Sequence, residues 1–276
     1  MKMTLKMVGV AAMLATSALL TTMAAAKYVG KHELGMIPQA LLMTYNIPAP
    51  LPQPTTRPTR NTGSAAAIAV TNTNVAAVSA SFTFTAGDYL MVSSAAGVTS
   101  GAVPNVTSVG GGNVGAGWHK LGGNKTTVSG RALQQEMWGG FCTTSGTGSV
   151  TVNYDATVTS GYILVLAYTG VNTTNPIADT VIQYVNNSTT GAVPTWTNNC
   201  GFNNTLSVIG YAGGSTGSSF TPTHTNISEV QAGSMAVVAS TWNGSIDKGA
   251  ITFTNSVSQA NCCFTNINLK GTGGGS

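Results

Sequence analysis

Charge is what this chain has least of: Asp, Glu, Lys and Arg make up 7% of its 276 residues, against roughly 25% in an ordinary soluble protein. The formal charge is +4, and removing Lys2 and Lys6 with an N-terminal leader would leave +2. A nucleic-acid binder needs clustered Lys and Arg to neutralise phosphates. Here the basic residues are scattered, and Arg57 and Arg60 read as solvated spacers, so no nucleic-acid partner is expected. Acid–base chemistry is equally short of material. Seven acidic residues and three His cover the whole length, with no paired carboxylates at a recognisable spacing; catalysis needs titratable groups within hydrogen-bond reach. The chain is therefore read as non-enzymatic.

Recognisable ligand motifs are missing too. His119 and His224 stand in corresponding segments but lack the closely spaced second ligand of a metal site. They read as polar strand positions. No DxDxDG run exists, although Asp88, Asp155, Asp179 and Asp247 lie near loops, where structural calcium is not excluded because carbonyl, Asn and Asp oxygens suffice for it. No other cofactor is implied. Gly110-Gly111-Gly112 and Gly213-Gly214 lack a following Lys-Ser/Thr, so they are turns rather than phosphate loops.

What is present is β-branched residues in short runs bounded by Gly, Ser, Thr and Asn, which is the signature of strands. These runs repeat in one order. The first pass holds 86–94, 118–121, 133–141, 149–155 and 162–170; the second holds 204–214, 220–225, 234–244, 250–255 and 262–271. Trp138 and Trp242 fall in corresponding strands, as Tyr168 and Leu269 do near corresponding ends. Each half alone would leave an apolar sheet face uncovered, so the two are expected to pack face to face as one pseudo-symmetric antiparallel β-sandwich over residues 63–271.

Ahead of it, Lys2 and Lys6 precede an uncharged stretch from Val8 to Met23 and then Ala24-Ala25-Ala26. Residues 1–26 therefore read as a signal peptide cut after Ala26, or alternatively as a retained hydrophobic anchor. Residues 27–62 read as an arm with a Pro-rich linker (Pro48, Pro50, Pro52, Pro54, Pro58), because such spacing favours extended, semi-stiff chain. The arm either docks on a neighbouring subunit or membrane surface or folds back on its own domain. Residues 272–276 read as a flexible tail.

The order Ala86-Gly87-Asp88, Trp118-His119-Lys120-Leu121, Glu136-Met137-Trp138, Gly148-Ser149-Val150-Thr151-Val152, Ala167-Tyr168-Thr169-Gly170-Val171 and Asn175-Pro176-Ile177 resembles a recurrent module. It is similar to the jelly-roll-like β-sandwich domains of secreted bacterial surface proteins and phage structural proteins, over about Ala65 to Gly271. That resemblance implies display on an extracellular surface, through attachment, assembly or carbohydrate contact. Self-association or pairing with other surface or virion subunits follows as the expected partnership, and glycans as another, with a virion as the alternative location.

Three residues are candidates for glycan contact. Trp118 and Trp196 border expected loops, where an exposed aromatic stacks on sugar rings, and Glu136 shares a strand face with Gln134 and Trp138 while Gln135 and Met137 take the other. Hydrolysis would need a second carboxylate near Glu136, and none is nominated. Export makes disulfides plausible for Cys142, Cys200, Cys262 and Cys263. Adjacent Cys262 and Cys263 point to opposite faces of a strand and so seek different partners; Cys142 and Cys200 are the natural ones, in a pairing left open.

Overall fold

Alternating β-branched sequence closes into antiparallel ladders throughout. The computed structural model describes residues 53–68, 74–98, 102–128, 131–178, 182–186, 191, 193–213, 220–221, 225–232, 235–246, 249–256, 258 and 261–273, all within the compact unit Leu51–Ser276. The expected leader and the apolar part of the expected arm lie outside the described residues.

In chain order the strands are β1 (Thr59–Ile68), β2 (Asn74–Val78), β3 (Phe82–Phe84), β4 (Tyr89–Val98), β5 (Val106–Gly111), β6 (His119–Val128), β7 (Arg131–Phe141), β8 (Gly146–Gly148), β9 (Val150–Val158) and β10 (Ser160–Thr169). There follow β11 (Ile182–Asn186), β12 (Thr195–Cys200), β13 (Thr205–Gly213), β14 (Phe220–Thr221), β15 (Thr225–Ala232), β16 (Met235–Ile246), β17 (Gly249–Asn255) and β18 (Cys262–Lys270). Two five-stranded sheets run β1-β10-β4-β7-β6 and β11-β18-β13-β16-β15; two three-stranded sheets run β2-β9-β5 and β12-β17-β14; β3 and β8 form a separate pair.

Side-chain alternation sorts these sheets into layers. On β4, Tyr89, Met91 and Ala95 enter one apolar core while Leu90, Val92 and Ala96 enter another. β10 divides likewise, with Leu164, Leu166 and Tyr168 on one side and Ile163, Val165 and Ala167 on the other. The first set meets Leu206, Val208, Ile267 and Leu269 of β13 and β18, so the two five-stranded sheets pack face to face. Their outer faces are covered in turn: Val150, Val152 and Tyr154 of β9 close one outer core, and Trp196 of β12 with Phe253 of β17 closes the other. Three cores therefore lie between four layers, where the sequence suggested a single core. The difference comes from short, Thr-, Asn- and Ala-rich outer strands such as β2 and β12, which periodicity alone does not separate from loops.

Sheets buried on both faces read as continuous burial, and every residue of β4 and β13 is buried. A fully buried aliphatic or aromatic side chain contributes about 1.5–3 kcal/mol, which makes these two strands the thermodynamic centre of the fold.

The boundaries of the domain differ from those expected. Thr59 already pairs with Thr169, so the sheet begins before residue 63. Pro54 and Pro58 are buried. Thr55 and Thr56 donate backbone hydrogen bonds to Thr272 O, both at 3.0 Å, and Thr272 N reaches Gly170 O at 3.1 Å. The described end of the Pro-rich arm thus folds back on its own domain, and the start of the expected flexible tail is held by the same contacts.

Candidate functional site

Among the described residues, one cluster of polar side chains lies around Glu136. Alternation along β7 sends Gln135 and Met137 toward the central core and Glu136 and Trp138 toward the outer one, as the sequence implied. Glu136 is 1% exposed. Trp138 Nε1 donates to its Oε2 at 3.1 Å. Lys120 Nζ lies 2.9 Å from Oε1, its own side chain 47% exposed, in an ion pair whose angle is not that of an aimed hydrogen bond. Ser94, opposite Glu136 in the ladder, shares a 2.8 Å hydrogen bond with Tyr154 Oη. Burial pushes the Tyr154 hydroxyl far above its ordinary range, the Ser94 bond pulls it back and the Glu136 charge adds to the rise. Gln134 is completely buried and leaves both ends of its amide without a hydrogen bond. The cluster is a sealed polar inclusion behind one half-exposed lysine.

The other two glycan candidates occupy core positions. Trp196 is the second residue of β12 but only 7% exposed, its ring 5.2 Å from Phe253 in a stacked pair and 4.0 Å from Phe264. The ring is buried against these two aromatics, which leaves little exposed surface for a sugar to stack on. Trp118 is half-buried against the first outer core, and its Nε1 donates to Gly111 O at 3.1 Å. Glu136, Trp118 and Trp196 do not converge: Trp196 belongs to the opposite outer layer.

A second polar group lies beneath β12. Asn198 Nδ2 donates to Asn266 Oδ1 at 2.9 Å and to Asn268 Oδ1 at 2.7 Å, Asn268 Nδ2 returns a bond to Asn198 Oδ1 at 2.9 Å, and Asn266 Nδ2 reaches Ser207 Oγ at 2.5 Å. Amide pairs of this kind satisfy one another, as buried polar groups must, and fix the register of the outer sheet on the inner one. Sequence reasoning missed them because Asn at alternate positions of so Asn-rich a chain carries no signal of burial.

The third group is at the flank between β5 and β6. Asp155 Oδ1 accepts from Asn105 N at 2.7 Å, Asp155 Oδ2 accepts from Asn105 Nδ2, and Lys125 Nζ donates to Asn105 Oδ1. The two Asn105 N–H groups, and then the Lys125 ammonium, hold the Asp155 carboxyl below its ordinary value.

No protein-family model matches the chain, and neither a curated protein nor a solved structure matches it. Function must therefore be argued from the residues.

Among the described residues no three His, Cys, Asp or Glu side chains gather at one point. Asp88 is buried and works as a turn anchor: Gly87, at φ 90°, permits the reversal, and Asp88 Oδ2 accepts from Thr85 N and Asn61 Nδ2, each at 2.9 Å. His119 is an exposed position at the start of β6, while His224, Asp179 and Asp247 lie outside the described residues. The four cysteines are free thiols, not two bridges. Cys142 belongs to one outer core, Cys200 and Cys262 to the other, and Cys263 to the central one; Cys262 and Cys263 do point to opposite faces. Even the pair sharing a core is separated along the sheet. Cys200 touches Thr205, which is opposite Lys270, while Cys262 stands at the other end of β18.

Proposed function

We propose that this chain is a non-enzymatic extracellular structural or attachment protein, surface-displayed or self-assembling through its N-terminal arm and its β-sheet domain. The observation that carries the reading is the use made of polar groups. Asp88 fastens a turn, the Asn198, Asn266 and Asn268 amides satisfy one another, and Glu136 is enclosed with its own ion-pair partner. On the outer face, threonine hydroxyls meet across strands at Thr197–Thr252 and Thr83–Thr147. These are the bonds of a scaffold.

Within this reading the fold is two jelly-roll-like halves. Setting aside the β3–β8 pair, each half has eight strands. In both halves the five-stranded sheet then holds the first, eighth, third, sixth and fifth strands, and the three-stranded sheet holds the second, seventh and fourth. Wrapping of successive strands between two sheets in this way is the jelly-roll pattern. The same count sets Trp138 (β7) against Trp242 (β16) and Tyr168 (β10) against Leu269 (β18), which supports an internal repeat.

Self-association is supported by the edges. β2 and β12 are edge strands without a charged residue, and Val75 and Val78 on β2 are exposed at 53% and 54%. Uncharged edges of this kind pair readily with other strands. The deciding experiment is intact mass together with negative-stain microscopy of protein from its native source. A processed N-terminus in filaments or surface layers is the expected result. An intact Met1 in virus particles would replace the proposal with a virion component, and a processed monomer that binds glycan arrays would replace it with a carbohydrate-binding protein.

A further inference from the structure

We infer that Lys125 and Asn105 form an intramolecular isopeptide bond, with Asp155 as the proton carrier. Amine, primary amide and carboxylate meet here in a chain of contacts: Lys125 Nζ at the carbonyl end of the Asn105 amide, Asp155 Oδ2 at its nitrogen. The backbone of Asn105 is tied to Asp155 as well. Asp155 Oδ1 binds Asn105 N at 2.7 Å, and Asp155 N binds Asn105 O at 3.0 Å, so the acceptor carbon stands fixed beside the amine. Such preorganisation can replace a bimolecular encounter by effective concentrations of about 10^5 M or more. Elsewhere among the described residues the trio is incomplete: Asn61 with Asp88 joins amide and carboxylate, and Lys120 with Glu136 joins amine and carboxylate.

The bond-making step balances without an external reactant. The neutral Lys125 amine attacks Asn105 Cγ, Asp155 takes the proton released from Nζ, and the same carboxyl returns it to Nδ2 as the Cγ–Nδ2 bond breaks. Ammonia leaves and a secondary amide remains. Only an uncharged amine is a nucleophile, so the reaction is faster in alkali than at neutral pH. The link would join β6, the edge of a five-stranded sheet, to the start of β5 in the three-stranded sheet above it. It would supply a covalent tie to a domain in which none of the four cysteines is disulfide-bonded.

The test is mass spectrometry of the full chain, fresh and after incubation at neutral and alkaline pH, followed by proteolysis. The expected result is a species lighter by one ammonia and a branched peptide joining Asn105 to Lys125, increasing with time and pH. Lys125→Arg should abolish the branched peptide, and Asp155→Asn should slow it by about a hundredfold, the scale of a lost acid–base group. An unshifted mass after alkaline incubation would overturn the inference. So would an ammonia loss found on an unbranched Asn105 peptide, which marks cyclisation of Asn105 onto its own backbone. Wild-type protein alone decides between these outcomes if a variant fails to fold.

Discussion

Lys120 and Glu136 illustrate how unequal two partners of one ion pair can be. Glu136 is sealed at 1% exposure, whereas the Lys120 side chain is 47% exposed and can turn to water. Lys120→Met removes the cation paired with a buried carboxylate. Breaking a buried pair costs about 3–5 kcal/mol, and solvent screening at the exposed partner reduces the expectation to about 2 kcal/mol. Glu136→Gln keeps the acceptor for Trp138 Nε1 and releases Lys120 to solvent, so a much smaller loss is expected. Urea midpoints of the two variants check this asymmetry, and equal losses would contradict it. Tyrosines give a second residue-level prediction. Burial raises the hydroxyls of Tyr89, Tyr154 and Tyr168 above the ordinary value. The folded state therefore holds these protons more tightly than the unfolded chain. Their contribution to stability is complete below about pH 10, the unfolded tyrosine value, and is lost as pH rises above it. Tyrosinate absorbance should show these three titrating only with unfolding, in a steep alkaline transition.

At the scale of elements, the close approach of the two five-stranded sheets depends on Gly210 in β13. A Cβ at that position would stand 2.3 Å from Gln135 Nε2 and 2.6 Å from Ser93 Oγ, both on the opposing sheet. Gln135 can swing only within a filled central core, so Gly210→Ala is expected to destabilise by about 1–3 kcal/mol, measurable by thermal or urea denaturation. A neutral effect would mean that the sheets are farther apart. Strand legibility followed composition. β4, β7, β10, β13 and β18 were readable because they are apolar and long. β1, β2 and β12 were not, since their Ala, Thr, Asn and Gly residues carry little intrinsic signal, and in β2 and β12 burial comes only from the sheet they cover. The same reason hid Trp196: its TWTNNC segment alternates exposed and buried side chains, but only the presence of Phe253 and Phe264 identifies which side is the core.

For the molecule as a whole, the shared central core makes the halves interdependent. Residues 53–178 alone would uncover Met91, Met137, Leu164 and Tyr168, and residues 182–273 alone would uncover Leu206, Val208, Ile267 and Leu269, all now buried against one another. Each half expressed separately is therefore expected to aggregate or to bind a hydrophobic dye, while the intact unit should unfold in a single transition. A soluble, cooperatively folded half would refute this. The clasp of Thr55 and Thr56 on Thr272 joins the beginning and end of the described domain, which adds to that interdependence.

By itself the sequence determined the all-β class, the face each residue of β7 takes and the opposed directions of Cys262 and Cys263. All of these follow from period-two alternation, a local property of the chain. Tertiary structure decided the number of layers, the fold-back of the Pro-rich segment, the burial of Trp196, the separation of the cysteines and the meeting of Asn105, Lys125 and Asp155. Those depend on which surfaces residues 20 and more positions apart present to one another, and alternation along one strand carries no information about the strand that will lie on top of it.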